Sequence, residues 1–116
     1  MRKKILCCLL IITMGLLLVG CSEEKEMSSL DKILKEDNYI IVDVRTKEEY
    51  DTSHVKDSIN IPYDEIDENV ELDKDKTILV YCKSGGRSNI AYNTLKDLGY
   101  DVMDLGAFDS IDLEKE

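Results

Sequence analysis

Cys82 is followed by Lys83, Ser84, Gly85, Gly86 and Arg87, a set of residues suited to thiolate chemistry. The thiolate is the nucleophilic form of cysteine, and nearby cations and N–H groups lower the cost of its charge. Gly85 and Gly86 let the backbone curl so that successive N–H groups point inward and make an anion-binding concavity. Lys83 and Arg87 add positive charge. Two plainer readings compete: a cysteine that only fills space as a small hydrophobe, and a glycine pair that only makes a turn. Neither accounts for cations and glycines gathered at one point of the chain. Cys82 therefore reads as a nucleophile, with residues 83 to 87 as the ring that holds an anion over it.

The flanking segments supply the scaffold. Thr77-Ile78-Leu79-Val80-Tyr81 is continuously apolar, as expected of a strand buried on both faces. From Arg87 to Leu98 the spacing predicts a helix with Ile90, Ala91, Thr94, Leu95 and Leu98 on its inner face. Gly99 stands where such a helix ends. Cys82 thus falls at the carboxyl end of a strand, where open α/β sheets bind their ligands.

The rest of the chain repeats this alternation. Ser28-Ser29-Leu30-Asp31 opens a helix with Leu30, Ile33 and Leu34 as its stripe, and Tyr39 to Val44 reads as a strand. Thr46-Lys47-Glu48-Glu49 has capping-box spacing. Ser58 to Ile61 is a short strand stopped by Pro62, and Tyr63 to Val70 an acidic helix with Ile66 and Val70 inward. A charged turn at residues 73 to 76 leads into the central strand. After the helix, Tyr100 to Leu105 is a last strand, and Gly106-Ala107 turns into a short C-terminal helix. The expected fold is α/β: a doubly wound, mainly parallel sheet flanked by helices on both faces.

The N-terminal region differs in kind. Arg2-Lys3-Lys4 precedes an apolar run from Ile5 to Val19, which has signal-peptide length and is short for a membrane span. It closes on Gly20-Cys21 and a charged stretch, and so resembles a bacterial lipoprotein signal with its lipobox. That resemblance implies cleavage after Gly20 and lipidation of Cys21. The expected organisation is a signal peptide at 1–20, a lipidated cysteine with a polar tether at 21–29, and one domain at 30–116. The mature protein would be held on the outward face of the cell membrane by its lipid anchor. From Cys21 onward 12 basic residues stand against 25 acidic ones, a formal charge of −13. This argues against nucleic acid as a partner, and an anionic substrate must be drawn in by local cations. Cys7 and Cys8 would leave with the signal, so Cys82 would be the one free thiol.

Several ordered motifs resemble the single-domain rhodaneses. Ile41-Val42-Asp43-Val44-Arg45 resembles that family's Asp-Val-Arg strand end. Glu49-Tyr50, His54-Val55 and Ile59-Asn60-Ile61-Pro62 resemble its next segment, and residues 81 to 88 its active-site loop. The resemblance implies sulfur transfer through a persulfide on Cys82, from a small anionic donor such as thiosulfate to a thiol or cyanide. Residues 83 to 87 would hold the sulfur through their N–H groups, with Lys83 helping to bind the donor and Arg87 shaping the loop. No metal or organic cofactor is implied. Asp43 and Arg45 would support the loop, or simply form a strand end with Arg45 paired to Glu49. His54 reads as structural.

The sequence departs from the family pattern in places. Ser53 replaces the glycine before the histidine, Lys56-Asp57-Ser58 replaces Pro-Gly-Ala, and Ile111 stands where a late tryptophan is usual. Rival uses of such a loop are a non-catalytic binding module, a redox-sensing thiol, and a phosphatase or arsenate reductase. The last has a Cys-x5-Arg loop, whereas four residues separate Cys82 from Arg87.

Overall fold

The computed structural model describes residues 29–116. The signal-like run, Cys21 and the tether through residue 28 lie outside them. Contacts divide the chain into two units, Met1–Glu36 and Asp37–Glu116. The described part of the first is helix α1, Ser29–Glu36, with Asp31 in its first turn and Lys35 in its last. Both charges suit the helix dipole.

The second unit runs β1 (Tyr39–Asp43), α2 (Lys47–Thr52), β2 (Ile59–Asn60), β3 (Thr77–Cys82), α3 (Gly86–Asp97) and β4 (Asp101–Ala107). Short 3-10 turns lie at Tyr63–Glu65 and Phe108–Ser110. The strands form one sheet in the order β2-β1-β3-β4, and every pair is parallel. This is the expected α/β architecture. The chain steps outward from β1 to β2 and then returns to the other side of β1 with β3. That reversal sets the carboxyl ends of β1 and β3 side by side, with Asp43 opposite Tyr81. A topological switch point of this kind leaves a crevice for ligand.

The core lies between sheet and α3. Val42, Val44, Ile78, Val80, Cys82 and Val102 meet Ala91, Leu95, Ile66 and Tyr100. Each large aliphatic buried there contributes about 1.5–3 kcal/mol relative to exposure. Two end devices hold the flanking helices in place. Thr46 and Glu49 form the reciprocal capping box of α2. At the end of α3, Gly99 (φ +95) donates to Lys96 O and Tyr100 to Leu95 O, both at 3.0 Å, which is a Schellman closure.

Three expectations are corrected. First, the inner face of α3 is Ser88, Ala91 and Leu95, with Tyr92 and Leu98 alongside, while Ile90 is 51% exposed. Ser88 Oγ lies 3.5 Å from the buried Cys82 Sγ at the end of β3, so that side of the helix faces inward. Ile90 is then one residue, roughly 100°, off the core-facing row. Second, Tyr63 to Val70 is no helix beyond its opening 3-10 turn. Asp67 accepts the Asn69 N–H at 2.8 Å, a local bond that competes with helix. Asp64, Glu65, Asp67 and Glu68 would also repel one another at helical spacing. Ile66 is nevertheless buried, and Val70 packs on the core. Third, Gly106 and Ala107 still belong to β4, and the short C-terminal helix that follows is a single 3-10 turn, Phe108–Ser110, with Ala107 as its N-cap. The register with β3 shifts so that Asp104 faces Val80 and Gly106 faces Tyr81, leaving Leu105 as the extra residue of a bulge. Gly106 takes φ +81 and donates its N–H to Asp104 Oδ1 at 2.9 Å.

Candidate active site

Cys82 closes β3 with no exposed surface and is the free cysteine among the described residues. The chain must reverse at once to enter α3, and Gly85 makes this possible with φ +98, a left-handed conformation strained for other residues. The turn brings the Gly85 N–H to 2.9 Å from Sγ. Sγ lies 3.5 Å from Ser88 Oγ, to which the neutral thiol donates. Burial pushes the thiol pKa up. The Ser88 hydroxyl and the backbone N–H groups of Ser88, Gly85 and Ser84 outweigh it, so the net shift is downward. Hydrogen bonds to a thiolate favour the charged form. The same groups would donate to a sulfur or anion seated on Sγ.

Arg87 lies in the first turn of α3 and reaches across to α2. Its Nη1 and Nη2 meet Glu49 Oε1 and Oε2 at 2.7 and 3.1 Å. This bond, followed by Coulomb attraction, keeps the guanidinium charged, with its pKa raised despite partial burial. Glu49 therefore pairs with Arg87, not with Arg45. Lys83, Ser84 and Gly86 are exposed, and Lys83 makes no ion pair among the described residues.

Arg45 instead belongs to a buried network. Its backbone N–H, Nε and Nη2 all donate to the Asp43 carboxylate at 2.6–2.9 Å, and Nη2 also donates to Ser53 O at 2.6 Å. Tyr81 OH donates to Asp43 Oδ2 at 2.8 Å and accepts the Val55 N–H at 3.0 Å. The guanidinium lies 4.4 Å from the ring centre of Phe108 and 5.5 Å from that of Tyr81. A buried ion pair is tolerable only when its remaining hydrogen-bonding capacity is met, and no buried side-chain polar atom among the described residues is left without a partner. Asp43 and Arg45 thus reach the loop through Tyr81, the residue before Cys82. His54 Nδ1 lies 2.8 Å from Tyr50 O, and its ring stacks on Tyr50 at 3.9 Å. Those contacts match a structural role.

Beside the loop is a cleft of about 230 Å³. Glu49, Thr52 and Ser53 line one part; Arg45, Lys83, Phe108 and Asp109 complete it. Cys82 is not in its walls.

Residues 26–110 match the rhodanese-like domain family. The chain belongs to that family. Over 62 residues, 51% of this chain and 60% of the relative, it is 40% identical to the thiosulfate sulfurtransferase PspE of Escherichia coli. Over 81 residues it is 35% identical to the adenylyltransferase and sulfurtransferase uba4 of Ogataea parapolymorpha, covering 68% of this chain and 21% of the relative. The chain thus spans less than two thirds of either sequence relative. Among solved structures, a rhodanese with anions from E. coli superposes with a TM-score of 0.62 at 34% identity, covering 67% of this chain and 96% of that one.

The family comparison makes sense of the departures. Asp57 occupies the place of the usual glycine and takes φ +66, a left-handed conformation that aspartate tolerates better than most residues but less readily than glycine. Ser53, in place of another glycine, is extended at φ −169, where any residue fits. Ile111, replacing the tryptophan, is 7% exposed and closes the core at lower volume. Sequence reasoning placed Tyr81 and Ser88 in the loop without giving either a role of its own, and it did not find the Glu49–Arg87 pair, Phe108 or Asp109 as parts of the site. Phe108 and Asp109 follow the carboxyl end of a strand, a position that could have marked them.

Proposed function

We propose that this domain is a sulfurtransferase acting through a persulfide on Cys82. The Cys82 thiolate attacks the outer sulfur of thiosulfate, or of a persulfide donor. A sulfur–sulfur bond forms to Sγ, and sulfite, or the donor's thiolate, leaves with the electron pair of the broken bond. The transferred sulfur, now anionic, is held by the N–H groups of the loop until a thiol or cyanide removes it. The observation that carries this reading is the buried Sγ with the Gly85 N–H 2.9 Å away in a rhodanese-like domain. A low-pKa thiol is what the first step requires.

Intact mass measured after thiosulfate treatment tests it. The protein should gain one sulfur atom, lose it to cyanide or a reducing thiol, and gain none as Cys82→Ser. The absence of an adduct with any sulfane donor would favour a non-catalytic binding module. A ring of four residues between Cys82 and Arg87 also suits one bound sulfur better than a phosphoryl or arsenate group. Thiosulfate, a phosphate ester and arsenate assayed side by side should give sulfur transfer alone.

We also propose that the protein is a lipoprotein, anchored through Cys21 on the outward face of the cell membrane. Gly20-Cys21 after the apolar run supports this. Two or more acyl chains on one residue give stable attachment where one would be marginal.

A further inference from the structure

We infer that the cleft beside the Cys82 loop receives the sulfur acceptor, and that this acceptor is a small zwitterionic amino-thiol whose carboxylate meets Lys83 and whose ammonium meets Asp109. The inference rests on the sulfurtransferase reading and names its acceptor class.

The charges of the cleft decide the chemistry. Of the charged residues that line it, Arg45 is committed to Asp43 and Glu49 to Arg87. Both pairs are bonded at more than one point, so neither has much charge left to offer a ligand. Lys83 and Asp109 are exposed and form no ion pair among the described residues. The cleft therefore presents one available cation and one available anion, with the Phe108 ring as an apolar wall. Lys115, which does not line the cleft, stands over that ring at 4.7 Å.

Size and net charge narrow the choice. Drug-sized ligands occupy pockets of roughly 300–1,000 Å³, so about 230 Å³ suits a molecule of amino-acid size. The acidic domain opposes net negative charge, and the ammonium leaves the reacting amino-thiolate with one negative charge where a mercapto-carboxylate would carry two. The amino-thiol's two ends also fix its orientation. Lys83 adjoins Cys82 in the chain, so a ligand bound there lies beside the loop. The acceptor thiolate then attacks the outer sulfur of the Cys82 persulfide. A new S–S bond forms, the bond to Sγ breaks, and Cys82 departs as a thiolate with the electron pair. The product is the amino-thiol's own persulfide, and no oxidant or reductant is needed.

The test is a panel of acceptors at saturating thiosulfate: L-cysteine, cysteamine, 3-mercaptopropionate and 2-mercaptoethanol, each rate corrected for its thiolate fraction. L-cysteine should lead 2-mercaptoethanol in kcat/KM by at least about tenfold, as one charge-assisted contact supplies. Asp109→Asn should lower the values for L-cysteine and cysteamine and spare 3-mercaptopropionate relative to them. Equal rates for all four acceptors, or an equal loss for all in Asp109→Asn, would overturn the inference. Titration with S-methyl-L-cysteine, which cannot accept sulfur, separates the two readings. Saturable amide shifts at Lys83 and Asp109 that Asp109→Asn abolishes would support the cleft assignment even with no sulfur adduct on Cys82; no shifts would overturn it. A missing adduct by itself counts against the sulfurtransferase reading.

Discussion

Arg87 and Glu49 meet as a two-point ion pair at 2.7 and 3.1 Å, tying the first turn of α3 to α2 across the mouth of the loop. The bond to Arg87 is the main reason that the Glu49 carboxyl is held down to about 2. A carboxylate with a depressed folded pKa contributes stability above its unfolded value and loses it as the pH falls toward the folded one. That window runs from the ordinary 4.5 down to about 2. Glu49→Gln should therefore cost about 1–2 kcal/mol at neutral pH, after allowance for solvent screening. In denaturant titrations at several pH values, the gap to the parent should close as the pH drops through that window. A gap that persisted at its lower end would contradict the pairing.

Ser88→Ala removes the hydroxyl that helps hold the Cys82 thiol below its ordinary range. The pH midpoint for alkylation of Cys82 by iodoacetamide should lie below the ordinary thiol value in the parent and move upward in the variant. An unchanged midpoint would mean that the backbone N–H groups alone set the thiolate.

Asp57→Gly should stabilise the domain. The left-handed conformation at φ +66 costs an L-residue roughly 1–2 kcal/mol, less for aspartate, while glycine gives back part of that gain through its looser unfolded chain. The expected net is up to about 1 kcal/mol, read as a higher urea midpoint with an unchanged slope. A lower midpoint would show that the Asp57 side chain contributes more than its backbone costs.

Cys21→Ala should abolish acylation and leave the signal uncleaved. Fractionation and mass of the membrane-extracted protein check this. If the variant is processed and partitions like the parent, the anchoring proposal fails.

How much was legible in the sequence follows from how local each signal is. The Thr46–Glu49 box, Gly99 and the apolar run before Cys82 are short-range signals, and each gave an element in its expected place. Local periodicity failed at Ile90, because Ser88 faces Cys82 and is buried in line with Ala91 and Leu95, which sets the rotation of α3. It failed again after Pro62, where side-chain bonding and crowded carboxylates defeat a helical pattern. Within the site, Cys82 and the Gly85 N–H beside it were legible because they lie in one short loop. The Glu49–Arg87 pair was not, since the approach of α3 to α2 decides it, and without it Arg45 had both Asp43 and Glu49 within a few residues as carboxylate partners. Asp109 was hidden for the same reason: only the sheet brings it beside Lys83.

The bulge in β4 has a consequence for the cleft. Side chains alternate along a strand, so one residue more or less exchanges all later ones between the two faces. Leu105 is that one residue. Without it, Phe108 and Asp109 would follow the strand out of phase and present the opposite sides of the chain to the crevice. The interval between Asp104 and Phe108 therefore works as a reading frame. What the cleft displays depends on the number of residues in that interval as much as on their identities.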